Sequence, residues 1–140
     1  MHAPPFSIFS AISELFVTAG VLYIIRRNWT RRTFSLAVFL AVALFEALVN
    51  VMYMARRSAE AASGAQAIAP GLRVFFALHG MLSLLAYLVF VIFGVLAYQE
   101  QRAGRFWFRD RPGVTWTFLV AWMISVISGE VLFAVRYLLP

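Results

Sequence analysis

No cysteine occurs in these 140 residues, and no lysine either, since all twelve basic residues are arginine. The first absence excludes disulfides, thiolate metal sites, thiol catalysis and covalent haem attachment through Cys-x-x-Cys-His. Charge is also scarce: Asp, Glu, Lys and Arg together make up 13% of the chain, about half the share usual in soluble domains. Only six residues are acidic, and only two are histidine. What fills the space is apolar, at 63% hydrophobic residues and a mean hydropathy of +0.84. A soluble domain this small has too little interior to hide so much apolar surface, so lipid must be part of its solvent. The net charge of +6 then reports orientation in a membrane rather than nucleic-acid binding. No stretch interleaves arginine with exposed aromatics in a soluble region, and no nucleic-acid partner is expected.

The apolar residues fall into four long runs, which predict an all-α integral membrane four-helix bundle in one domain, residues 1–140. The expected spans are about 6–25, 34–54, 74–98 and 114–139. Arg26-Arg27 closes the first span, and Arg56-Arg57 ends the second. The start Met1-His2-Ala3-Pro4-Pro5 has no basic residue and Glu14 interrupts the run, so the first span reads as a retained helix rather than a cleaved signal. The link Arg56–Arg73 is the longest, with an Ala-rich first half suited to a short interfacial helix and a turn expected at Pro70-Gly71. Gln99–Gly113 is expected to be a hydrophilic loop.

Arginine counts give the orientation. The first and third links hold eight, and the second link and the tail hold four. The richer side is expected to be cytoplasmic, giving an up-down-up-down bundle with both termini on the outer (periplasmic) side of a bacterial inner membrane. Trp29, Trp107 and Trp116 then mark the inner boundary as an aromatic belt. The arginine-rich links read as topology determinants and as contacts to phospholipid head groups.

Against this background the ionisable residues inside the spans stand out, because each is costly there, by ~3 kcal/mol on insertion scales. There is one per span: Glu14, Glu46, His79 and Glu130. At about 1.5 Å per helical residue, Glu14 lies ~12 Å in from the outer end of its span, Glu46 ~12–14 Å, His79 ~9 Å and Glu130 ~14 Å. Alternate helices run in opposite directions, yet the four groups share one layer. Each also belongs to a polar stripe at helical spacing: Ser7, Ser10, Glu14 and Thr18 in the first span, Glu46 and Asn50 in the second, His79, Ser83 and Tyr87 in the third. Small residues such as Ser125 and Gly129 let helix backbones approach closely in lipid.

Three carboxylates so close together cannot all be charged and unpaired. They can be protonated and share hydrogen bonds with His79, Ser83, Asn50 and Thr18. They can be neutralised by Arg136, with Tyr137 beside it, or by a partner subunit. Or they can bind a cation, as facing helices of a bundle do when they turn Glu and His inward. In that last reading Glu14, Glu46, His79 and Glu130 are the ligands of a single divalent metal (Zn, Mn, Fe or Cu), with Asn50, Ser83, Thr18, Arg136 and Tyr137 around them. A b-type haem is not expected, because no second histidine lies within any span. Nothing resembles a catalytic triad, a phosphate loop or a zinc-protease motif, so the residues point away from an enzyme.

Several short pieces carry a likeness. Ala19-Gly20 is followed by Ile25-Arg26-Arg27, and His79 follows an aromatic-rich start to the third span. Gly104-Arg105-Phe106 follows, then a last span with Trp122, Ser125, Gly129, Tyr137 and Pro140. In these pieces, and in length and helix count, the chain resembles the small four-helix bacterial membrane proteins of the CtaM/YozB-like cytochrome-oxidase-assembly group. The resemblance implies an accessory or assembly protein of a respiratory or other redox membrane complex, with the lipid bilayer and other membrane subunits, or further copies of itself, as partners. That group carries further histidines near the outer end of the second helix and in the third link. Here those regions hold Tyr53-Met54 and Asp110. A purely structural subunit with a buried polar layer, and a small proton- or ion-coupled transporter, remain the alternatives.

Because the chain has no native cysteine, orientation is directly testable. A cysteine at Ala103 should resist a membrane-impermeant maleimide in intact cells and react in inverted vesicles, and one at Ser58 should show the reverse.

Overall fold

The computed structural model describes residues 5–62 and 70–137. Four long helices and one short one account for nearly all of them: α1 (Pro5–Trp29), α2 (Leu36–Ala62), α3 (Pro70–Arg102), α4 (Trp107–Asp110) and α5 (Pro112–Tyr137). No strand occurs among the described residues. Each of the long helices is long and apolar enough to cross a membrane. His2 and Leu138–Pro140 lie outside the described residues.

Three of the four long helices begin at a proline, Pro5, Pro70 and Pro112. Proline suits the first helical position, where its missing N–H has no partner to lose and its φ is already helical. The turn expected at Pro70-Gly71 is therefore a helix start, and α3 runs four residues further out than the span beginning at Val74. Likewise α2 continues past Arg56-Arg57 to Ala62, so the long link is shorter than expected. The expected loop Gln99–Gly113 contains the end of α3 and all of α4.

Two helices end at the arginine-rich side with the same closure. Arg32 N–H bonds to the carbonyl of Arg27 and Arg31 N–H to that of Asn28, while Arg105 N–H bonds to Glu100 and Gly104 N–H to Gln101. This pairing needs a left-handed residue, supplied by Gly104 (φ 73°) after α3 and by Arg31 (φ 57°) after α1.

In cross-section the long helices form a ring in which α1 touches α2 and α5, and α3 touches α2 and α5. The paired residues show how neighbours run. Along α3 and α5, His79 meets Ser128, Ser83 meets Ser125, Phe90 meets Trp122 and Phe93 meets Phe118, so one helix climbs as the other descends. Along α1 and α5, Ser7 meets Tyr137 and Thr18 meets Trp122 in the same antiparallel sense.

The ring is filled in two different ways. Toward the arginine-rich end its core is aromatic. Phe34, Phe39, Phe90, Trp122, Phe118 and Phe93 form a continuous chain with successive ring centroids 5.4–5.8 Å apart. Within it Phe90 has no exposed surface, and Val21 and Ile24 of α1 pack against the same cluster. The other half of the core is polar and is described below. Outside, the pattern of a soluble protein is inverted: Phe16 is 74% exposed and Met81 71%, among many large apolar side chains. Contiguous apolar surface on that scale belongs against lipid.

The short α4 plugs the arginine-rich end. Phe108 is fully buried, and both its backbone groups are held by side chains, its N–H by Asn28 Oδ1 (3.0 Å) and its carbonyl by Thr115 Oγ1 (2.7 Å). Arg111 fixes the plug from the other side through two 3.0 Å bonds to Glu100, and its guanidinium lies 3.8 Å from the Trp107 ring centroid. Paired parallel bonds of this kind between guanidinium and carboxylate are among the stronger side-chain contacts.

Close approach of α2 and α3 depends on Gly94. A Cβ there would overlap the Phe39 ring, in the middle of the aromatic chain. Gly94→Ala is expected to destabilise the detergent-solubilised protein by about 1–3 kcal/mol, seen as a lowered Tm by circular dichroism.

Candidate functional site

The polar half of the core starts at Trp122. Its ring belongs to the aromatic chain, but its Nε1–H donates to Thr18 Oγ1 at 3.1 Å, and beyond it the interior becomes hydrophilic. Glu14 of α1, Glu46 of α2, Ser83 of α3 and Ser125 of α5 line a cavity of about 20 Å³ together with Trp122. That is room for a single water molecule. The Ser83 and Ser125 hydroxyls are 2.7 Å apart and tie α3 to α5 on its wall. Glu46 Oε1 accepts from Asn50 Nδ2 at 2.9 Å, and the same amide reaches the Glu46 carbonyl at 3.0 Å, one helical turn back. The pair expected from the i, i+4 spacing is therefore formed.

His79 sits one step further along α3. The Ser128 hydroxyl donates to the Ser125 carbonyl at 2.8 Å, which uses its single proton. The 2.8 Å contact between Ser128 Oγ and His79 Nδ1 must then have the imidazole as donor. That assignment puts the hydrogen on Nδ1 and leaves the lone pair on Nε2. Nε2 faces Gly129 of α5. An added Cβ at Gly129 would lie 3.3 Å from His79 Nε2, 3.0 Å from its Cε1 and 3.1 Å from Glu14 Oε2. An imidazole lone pair and a carboxyl oxygen from two helices thus approach the bare backbone of a third.

Glu14 is the hub of the arrangement. It shares the cavity with Glu46, approaches the same face of Gly129 as His79, and interacts electrostatically with both Glu46 and Glu130. Glu130 itself is half-buried, and its Oε1 is shielded from solvent with no hydrogen-bond partner. Of the surrounding residues, Asn50 bonds Glu46 as expected, whereas Ser83 lines the cavity but pairs with Ser125 rather than with a carboxylate or His79. Thr18 is engaged by Trp122 rather than by a carboxylate. At the far end Arg136 lies over the rings of Phe76 and Tyr137, and the Tyr137 hydroxyl accepts from Ser7 at 3.4 Å.

Among the described residues, no three histidine or acidic groups are grouped so as to hold a metal ion. The four-ligand site is not assembled in this arrangement. Glu14 and Glu46 face the small cavity, His79 turns Nδ1 to Ser128, and only Nε2 and Glu14 Oε2 front a common gap. The donors present suit a proton better than a divalent cation. A carboxyl group and an imidazole lone pair that flank one gap without touching can share a proton through a bridging water.

Two members of the layer, Ser128 and Trp122, carried no site role in the sequence reading. The signal for Trp122 was its depth: it lies mid-span, away from the boundary where Trp29, Trp107 and Trp116 fall, so its N–H needed an internal partner. Ser128 lies three residues after Ser125, on the same face of α5.

The chain was compared with known protein families, curated proteins and solved structures, and none matches.

Gly129 offers a specific test. Gly129→Ala should lower Tm and shift the imidazole ¹⁵N resonances of His79, because the new methyl meets both His79 and Glu14. Gly80→Ala, where no atom lies within 4 Å of the added Cβ, should do neither.

Proposed function

We propose that this chain is a small, non-enzymatic accessory or assembly protein of a respiratory or other redox complex in the bacterial cytoplasmic membrane. Its four spans run up-down-up-down with both termini outside. Its working part is the Glu14–Glu46–His79–Glu130 layer, which holds a proton inside the bundle. The observation that carries the reading is the approach of His79 Nε2 and Glu14 Oε2 to Gly129, beside a water-sized cavity shared by Glu14 and Glu46. Ionisable groups at bilayer depth are costly, and polar side chains that served only to hold helices together need not ionise at all; serines alone would suffice. The accessory role rests on the resemblance of the short motifs described above, and the orientation on the arginine asymmetry.

A second reading places a single divalent metal in the same layer. It is favoured by one feature, that His79 Nε2 and Glu14 Oε2 are both free to act as donors at a common gap. It requires Glu46 or Glu130 to swing in as a third ligand.

Metal analysis of purified protein separates the two. The proton reading expects less than about 0.1 metal per chain, unchanged in Glu46→Gln and His79→Ala, and no Soret band. Stoichiometric Zn, Mn, Fe or Cu, lost in both variants, would replace it with the metal reading.

A further inference from the structure

Between α3 and α5, toward the arginine-rich end, lies an open groove of about 540 Å³. That volume lies in the range of pockets that enclose a small ligand. Leu82, Val89 and Phe93 form one bank, and Gly113, Thr117 and Ala121 the other, so the walls are almost wholly apolar. The groove extends from the first turn of α5 to mid-span, parallel to the helices. Gly113 contributes no side chain, and a Cβ there would meet nothing within 4 Å. Its apolar length therefore lies at the depth of lipid tails.

The end of the groove has the opposite character. Phe93 packs against Trp107 at 5.7 Å, and Arg111 covers Trp107. Between Glu100 and Arg111 there are four arginines and two acids. Glu100 takes Arg111 at 3.0 Å and Arg105 at 3.8 Å, while Asp110 accepts the Phe106 N–H, and neither ion pair of this segment uses Arg109. The Arg105 side chain is 65% exposed. An excess of cationic charge thus borders the mouth of a slot suited to a hydrocarbon chain. Basic pockets between membrane helices are suited to anionic head groups.

We infer that the α3–α5 groove is a binding site for one anionic phospholipid, with an acyl chain along the groove and its phosphate at Arg105 and Arg109. Charge decides between this occupant and an apolar helix of a partner, because a helix filling the slot leaves the arginines unmatched. The inference does not rest on the proton-holding layer, whose small cavity shares only Ala86 with the groove among the lining residues.

Native mass spectrometry of the delipidated full-length protein in detergent tests it, with dioleoylphosphatidylglycerol and dioleoylphosphatidylcholine as probes. One phosphatidylglycerol per chain should be retained at about tenfold lower lipid concentration than phosphatidylcholine. Filling the groove with Gly113→Phe and Thr117→Phe, both at positions open to the outside, should weaken that retention about tenfold with helicity unchanged. Arg105→Gln with Arg109→Gln should remove the preference between the two lipids. Equal retention of both lipids by the wild type would overturn the inference. So would unchanged retention after filling, or a wild-type dimer that filling dissociates, which would make a second copy the occupant.

Discussion

A polar group at bilayer depth has no water to turn to, and this constraint governs how the bundle is put together. Trp122 shows it at a single residue. Its ring completes a dry aromatic core, and its one N–H has to be met within the protein, by Thr18 of a neighbouring helix. The contact marks the border between two kinds of interior. On one side shape decides the packing, through stacked rings and the missing side chain of Gly94. On the other side hydrogen-bond supply decides it, through Ser83, Ser125, Ser128, Asn50 and the four ionisable groups.

That division sets the electrostatic surroundings of the layer. The aromatic half and the α4 plug separate the carboxyl groups from the arginine-rich side, which holds eight of the twelve arginines. Arg111 is committed to Glu100 by two 3.0 Å bonds, and Arg105 reaches the same carboxylate only at 3.8 Å from an exposed position. Glu14, Glu46 and His79 are left to one another, which is the condition for a proton to matter among them.

The sequence made the helices, their polar stripes and the one-per-span spacing of ionisable groups legible, because burial in lipid forces apolar runs and makes each exception conspicuous. Depth counting also brought Glu14, Glu46 and His79 to one level. It did not reveal which rotamers face each other, and so overestimated the number of groups that front a single point. The serine that fixes His79, the indole that takes Thr18 and the clamp of Asn28 and Thr115 on Phe108 are decided by the rotation of α5 about its axis. A pattern of apolar and polar letters leaves that rotation open by tens of degrees. Helix ends were misplaced for a plainer reason: proline was read as a breaker at Pro70, where its geometry favours the first turn.

The bonds of α1 carry a consequence for how the protein is made. Ser7, Thr18 and Asn28 find their partners in Tyr137, Trp122 and Phe108, and Glu14 approaches Gly129, all in the last third of the chain. Helix α1 is therefore completed by residues at least 80 positions further along the chain. Until α5 is in place, Ser7, Glu14 and Thr18 of α1 lack these contacts. Assembly of this bundle is thus complete only once α5 closes the ring on α1.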